Sequence, residues 1–235
     1  MTEDARLLLS QDPSYPRSVR MAFGELAPPD IWYIGNVEIL NTTGVGFCGS
    51  RNASDYSLQI AADCASQLSE AGITVVSGYA PGVDIASHEA ALASGGRTIV
   101  VLPEGIDHFR VKRSISPMWD WRRVLVVSQF PRKAVWRADR AMERNKIIVA
   151  LSQAVIVLEA REKGGTLNAG YAALQMHKPL FVALYDEMNG AREGNQRLLA
   201  DGAISLVRSR STNHAQLRDV FEALGLPGNG ETNVG

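Results

Sequence analysis

The chain has 235 residues, 46% of them hydrophobic, and 25 acidic against 24 basic residues give a net charge of −1. That is enough for one sizeable core, while two cysteines, Cys48 and Cys64, exclude a disulfide framework and read as small buried hydrophobes. No stretch reaches the ~18 apolar residues of a membrane span, and the acidic start MTEDARLLLS has too short an apolar run for a secretory leader, so a cytoplasmic protein with no membrane association is expected.

Residues 1–43, with Pro13, Pro16, Pro28 and Pro29, read as an irregular lead-in that packs on the sheet. From Gly44 onward, short β-branched runs alternate with amphipathic segments. The strand candidates are 45–50 (VGFCGS), 73–78 (ITVVSG), 98–103 (TIVVLP), 124–129 (VLVVSQ), 154–160 (AVIVLEA), 180–184 (LFVAL) and 203–207 (AISLV). In the first intervening segment, DYSLQIAADCASQLSEAG, Ser54 caps the helix start and Gly72 ends it. Strands this continuously apolar are buried on both faces, and right-handed crossovers then give an α/β fold with a doubly wound, mostly parallel sheet spanning 44–225. The helical segment AQLRDVFEALG (215–225) is expected on its own sheet, with a partner surface as the alternative, and the tail 226–235 is expected to be disordered.

Gly44, Gly46 and Gly49 carry the spacing G-x-G-x-x-G, the written form of a dinucleotide fingerprint. In that fingerprint the first glycine ends a strand and an acid at the tip of the second strand grips the ribose. Here Val45, Phe47 and Cys48 place the glycines inside the strand, and the second strand ends in Ser77-Gly78 with no acid. A nicotinamide dinucleotide is therefore excluded, and no cofactor is expected. What survives is a phosphate cradle. Gly49-Ser50-Arg51 stands at a strand's carboxyl end before a helix N-terminus, where backbone N–H groups, a hydroxyl and a guanidinium meet an anion. The second strand delivers Gly78 and Gly82 to the same edge, and the fifth delivers Gly164, Gly165 and Thr166. Open α/β sheets bind ligands at that edge.

Net charge hides an asymmetry. Between Arg110 and Lys146 lie eleven Lys or Arg and three acids, so this segment is +8 and the remainder −9. Trp119, Trp121, Phe130 and Trp136 are interleaved with those cations; some of these rings belong to the core, and exposed ones suit stacking on single-stranded nucleic acid. Asp84 and His88, four apart on a helix, invite an acid–base reading, but loop capping by Asp84 and packing by His88 explain them better. No Cys/His cluster has metal-ligand spacing, and no serine stands in G-x-S-x-G.

Taken in order, GFCGSRNASDY, VVSGYAPGVDIASHEAAL, GGRTIVVLPEGID, ERNKIIVALSQAVIVLEA and GGTLNAGYAAL resemble the DNA-processing protein A family (DprA, also called Smf), and YPRSV followed by PPDIWYIGNVEIL resembles its entry segment. The resemblance covers roughly residues 13–207. It implies an extended Rossmann-like fold and a non-enzymatic, homodimeric protein that binds single-stranded DNA, protects it, and helps load the recombinase RecA in transformation or repair. By that resemblance Gly49, Ser50 and Arg51 hold a DNA phosphate. Lys112, with Arg113 beside it, supplies the basic position after the third strand, and Arg144, Asn145 and Lys146 match the family's R-N-R block. The chain departs from the pattern in three places: WRADRAME replaces the Phe-Pro before R-N-R, Gly164-Gly165 replaces Ser-Gly, and Gln129 replaces a Glu. The helical N-terminal and winged-helix C-terminal domains have no counterpart in the sequence. The alternatives are a nucleotide sensor or phosphoribohydrolase-like enzyme of the same superfamily, in a defence or toxin–antitoxin module, and a binding protein with a vestigial pocket. In the enzyme reading Glu159 or Glu162 would have to replace the acid/base group absent from GGTLNAG.

Overall fold

The computed structural model describes residues 4–24, 26, 28–184, 193–209, 211–212 and 214–228. Its centre is six parallel strands whose residues are almost all buried: β3 (Gly44–Gly49), β4 (Thr74–Ser77), β5 (Thr98–Val101), β6 (Val124–Ser128), β7 (Ala154–Leu158) and β8 (Leu180–Ala183). Burial on both faces is why these segments read as unbroken Val/Ile/Leu runs without alternation. With β1 (Arg6–Leu8), β2 (Ile31–Gly35) and β9 (Ile204–Leu206), they form one sheet of order β1-β2-β6-β5-β4-β3-β7-β8-β9. β1 and β2 run antiparallel to each other, and β2 runs antiparallel to β6. All other pairs are parallel.

This corrects the irregular lead-in. Residues 32–35 pair with Leu125–Ser128 and cover an edge that β6 would otherwise expose, and the prolines fall outside the paired residues. Pro16 precedes helix α1 (Arg17–Phe23), where a missing N–H costs nothing. The tail beyond 228 lies outside the described residues.

Helices cover both faces. α2 (Asp55–Glu70), α3 (Val83–Ala93) and α7 (Arg218–Ala223) pack on one through Ile60, Cys64, Leu68, Val83 and Phe221. α1, α4 (Ala138–Leu151), α5 (Gly165–Gln175) and α6 (Glu193–Ala200) pack on the other through Val19, Ile147, Leu151, Leu167 and Leu198. α7 thus packs on its own sheet. A third apolar cluster, around Leu102, Ile106, Phe109 and Ile115, lies beneath the long connection from β5 to β6. The chain adds strands outward from β3 to β6, then returns through α4 to place β7 on the other side of β3. The carboxyl ends of β3 and β7 therefore flank the topological switch point, where such sheets leave a crevice. No described helix is long and apolar enough to cross a membrane.

Two buried polar side chains brace this frame. Asn195, on α6, accepts from the Ala160 N–H at 2.7 Å and donates to the Ala183 carbonyl at 2.9 Å, tying the ends of β7 and β8 together. His88, on α3, lies 2.6 Å from the Gly78 carbonyl through Nε2 and 2.6 Å from Thr98 Oγ1 through Nδ1. A carbonyl only accepts, so Nε2 carries the proton of the neutral ring, and Nδ1 faces the Thr98 hydroxyl, whose hydrogen is donated to the Val75 carbonyl at 2.9 Å. Burial favours this neutral ring and holds its pKa down at about 4, against an ordinary 6.5.

Asn195→Ala strands an N–H and a carbonyl in the interior and should cost about 3 kcal/mol, read as a lower urea midpoint at unchanged slope. His88 takes up a proton more readily unfolded than folded. Its contribution is complete above pH 6.5 and is lost as pH falls toward 4. The wild type should lose about 2–3 kcal/mol more than His88→Gln between pH 7.5 and 4.5. Parallel stability–pH curves would contradict the assigned ring state.

Candidate functional site

At the switch point, four segments enclose a cavity of about 500 Å³: the turn after β3 (Gly49–Asn52), the turn after β4 (Ala80, Asp84), the start of α4 (Trp136 to Ile148) and the turn after β7 (Glu159 to Thr166). Two glycines let the first two turns close on each other. A Cβ on Gly49 would strike Val83, and one on Gly82, at φ +82°, would strike the Ser50 carbonyl, to which Val83 N–H donates. Ser50 is buried, its hydroxyl accepting from Asn52 N–H at 3.2 Å. Arg51 leaves this turn into solvent and lays its guanidinium 5.3 Å from the centre of the Trp136 ring.

Part of the N-terminus of the helix after Arg51 is occupied from within the fold. Ser54 caps α2, and the Glu159 carboxylate reaches across from the end of β7 to accept from Ser54 N–H at 2.9 Å, Ser54 Oγ at 3.0 Å and Ser57 Oγ. Of the backbone donors at this helix start, the Ser54 N–H is therefore held by an internal carboxylate and the Ser57 N–H by the Ser54 hydroxyl at 3.3 Å. The N-terminus of α5 differs. It begins after Gly164 (φ +129°), has no side-chain cap, and lines the cavity with Gly164, Gly165 and Thr166. Its first N–H groups have no intrahelical acceptor and carry the positive end of the dipole. Asn145 fixes this turn by donating to the Gly165 carbonyl at 2.9 Å.

Arg144 forms the cavity floor. It is only 5% exposed, donates through Nη1 to the Val101 carbonyl, and has no partner for its buried Nε. Gly78 makes the room: a Cβ there would collide with both Arg144 Nη1 and Asp84 Oδ2. Burial lowers the Arg144 pKa and raises that of Asp84, each effect opposed by the other group's charge. No carboxylate stands in ion-pair contact with Arg144 among the described residues.

Of the thirteen residues expected at the site, the cavity brings together Gly49, Ser50, Arg51, Arg144, Asn145, Gly164, Gly165 and Thr166. Gly78 and Gly82 lie behind the wall and serve packing. Lys112 is turned away: it donates to the Tyr79 carbonyl at 2.6 Å and sits 4.6 Å from the centre of that ring. Arg113 and Lys146 are exposed but do not line the cavity. The cationic strip is also partly spent within the fold. Arg122 and Arg123 pair with Asp120, Arg132 with Asp107, and Arg137 with Asp139. Arg110 and Arg140 bond backbone carbonyls. Trp119 and Trp121 pack edge to face beside Phe109, and Phe130 is buried. Trp136, 48% exposed, is the ring of the four that faces the cavity. Sequence reasoning missed Asn52, Arg161 and Lys163 at the rim; the two cations stand just outside the basic segment, beside the glycine turn that was recognised.

The candidate acid–base groups are engaged elsewhere. His88 is locked between Gly78 and Thr98, Glu159 caps α2, and Glu162 pairs with Arg197 at 2.7 Å. The Cys48 thiol, at the cavity wall, is pushed up to about 12 by burial, chiefly through loss of solvation.

A family model described as DNA recombination-mediator protein A matches residues 6–217. DNA processing protein DprA of Bacillus subtilis is 28% identical over 203 residues, covering 84% of this chain and 65% of the relative. The structure of DNA processing protein A from Streptococcus pneumoniae superposes with a TM-score of 0.76 at 29% identity, over 86% of this chain and 70% of that one. A structure describing the single-stranded DNA binding mode of DNA processing protein A from Helicobacter pylori gives 0.74 at 26% identity, over 86% and 91%. The chain spans 46–65% of the length of the first curated relatives it matches. Nearly the whole described sheet, with the cavity at its switch point, falls inside the matched residues, and the chain belongs to the DNA recombination-mediator protein A family, the DprA/Smf family its sequence blocks resemble.

Proposed function

We propose that this chain binds single-stranded DNA through its phosphates at the switch-point cavity and performs no chemistry there. The observation that carries the reading is Arg144: a buried guanidinium with an unpartnered Nε, at the floor of an open cavity, without an acid in ion-pair contact among the described residues. Asp84, beside Arg144 in the notch of Gly78, offsets part of this charge, and a charge-assisted bond to phosphate would offset more. Arg51, Arg161 and Lys163 at the rim and the open N-terminus of α5 surround the same space. Arg51 stacked on Trp136 leaves one face of an exposed ring for a base. The Helicobacter pylori relative, described in a single-stranded DNA binding mode, supports the ligand class.

Exposed pairs such as Arg137–Asp139 contribute little as salt bridges, and phosphate competes for such cations, so the strip from 110 to 146 keeps a role as a diffuse field. Self-association and delivery of the strand to RecA in transformation or repair belong to the same reading, both carried by family membership. The phosphoribohydrolase reading is disfavoured because Glu159 Oε2 accepts three bonds from Ser54 and Ser57 and Glu162 is turned to Arg197. A mononucleotide sensor would use the same cavity. An oligonucleotide-length series at two salt concentrations separates the two: affinity grows over several nucleotides for a strand binder and stops at one for a sensor.

Four cations at the cavity give roughly four phosphate contacts, and log K should fall with log salt at a slope near −3, about −0.7 per contact. Arg51→Ala should weaken binding to every sequence and flatten that slope by about 0.7. Wild-type affinity and slope in filter binding would remove Arg51 from the site.

A further inference from the structure

Two acids stand in the lining of a cavity otherwise suited to anions, and they are placed differently. Glu159 is turned onto Ser54 and Ser57. Asp84, in the first turn of α3, lines the cavity beside its floor and is 8% exposed. Its Oδ2 accepts from Ala80 N–H at 3.2 Å. It also shares with Arg144 Nη1 the notch that Gly78 leaves, since a Cβ there would collide with both atoms.

The charged groups that face Asp84 come from several elements. Arg144 stands on α4, Arg51 on the turn after β3 and Lys112 on the connection from β5 to β6. Glu104, on the turn after β5, has Arg144 and Lys112 as neighbours but does not line the cavity. One turn along α3, His88 is held neutral, as is the Cys48 thiol in the wall. Burial raises the Asp84 pKa, while Arg144, Ala80 N–H, Ser77 and Arg51 favour the charged carboxylate. Those two arginines are the cations a phosphate would occupy. A phosphate oxygen bonded to them takes from Asp84 the charges that keep it ionised and sets a second anion beside it. Two like charges in one desolvated site are costly, and the group that can take a proton does so. A phosphodiester keeps its charge at ordinary pH, so the proton goes to the carboxylate. The resulting O–H is a donor, where the carboxylate was an acceptor only.

We propose that Asp84 couples strand binding to proton uptake: a phosphodiester seated on Arg144 and Arg51 is bound together with about one proton from solvent, held on the Asp84 carboxyl, which donates to the phosphate. The proposal rests on the strand-binding reading above and adds regulation to it. Because the bound state holds the proton more tightly than the free state, affinity is highest below the free-state pKa and falls as pH rises through the bound-state one. The cavity thereby releases a strand as its surroundings become more alkaline.

The test uses the full chain. Calorimetric titration with an oligothymidylate in two buffers of different ionisation enthalpy counts the protons taken up. The same titration with inorganic sulfate supplies an anion with no group that titrates near neutrality. With either ligand the wild type should take up about 0.5–1 proton near neutral pH, and it should bind oligothymidylate roughly tenfold more tightly at about pH 6 than at about pH 7.5. Asp84→Asn, which keeps an acceptor for Ala80 N–H, should abolish the uptake and reduce that pH effect to less than about threefold. Glu104→Gln should keep both. In carbon-13-labelled wild type the Asp84 carboxyl resonance should titrate at higher pH with oligothymidylate bound than without it. Binding of either ligand by the wild type without proton uptake, an Asp84 titration that the strand does not move, or uptake that persists in folded Asp84→Asn overturns the proposal. If oligothymidylate fails to bind while sulfate binds with uptake that Asp84→Asn removes, the coupling of Asp84 to the anion stands and the strand-binding reading falls. If neither ligand binds, both fall.

Discussion

A guanidinium taken out of water must be compensated where it lies, and the position of Arg144 organises much of this molecule. Its Nη1 reaches the Val101 carbonyl at the end of β5, its side chain fills the notch that Gly78 leaves at the end of β4, and its backbone is in α4, the crossover that returns the chain to β7. One side chain thereby ties three segments on both sides of the switch point. It does so without an ion-pair partner among the described residues, since Asp84 flanks the notch but is not in ion-pair contact. Asp84 offsets part of the charge from beside the notch, and the buried Nε is left without a hydrogen-bond partner beside an open cavity. In the proposed reading, anion binding completes an arrangement that folding leaves unfinished.

Around this floor, donors from separate turns converge. The turn after β7 carries Glu159, turned back onto Ser54 and Ser57, then Arg161 and Lys163 at the rim and Gly164–Thr166 opening α5 toward the cavity. The turn after β3 is pinned by close glycine contacts to α3, leaving Arg51 as its outward-reaching group. Rigid turns on a buried parallel sheet hold these donors in fixed relation, so little has to be ordered when a phosphate arrives.

The sequence made the parallel sheet legible because burial on both faces leaves long β-branched runs, and each of the seven predicted strands lies within a residue or two of its place. β1 and β2 were hidden for the opposite reason: they are short, antiparallel and half-exposed at one edge, and their setting among prolines looks irregular. The glycine turns were visible as backbone punctuation, yet the task of each was not. Gly78 reads as a place for close approach, and the group that approaches is an internal arginine. Charge read along the chain gave a strip from 110 to 146, whereas charge in space is set by which turns converge. Lys112 therefore folds back on Tyr79 while Arg161 and Lys163, in a stretch read for its glycines and acids, reach the rim.

The role of Arg144 as anchor is tested most directly by its Nε–H resonance, followed in nitrogen-15-labelled protein as a short oligothymidylate is added. This signal, assigned by its loss in Arg144→Lys, should shift with saturation, while that of Arg97, bonded at the far end of the sheet to the Gly72 carbonyl, stays in place. An Arg144 resonance unmoved at saturating oligonucleotide would show that the buried charge is not the anchor, and the cavity would lose its claim to the strand.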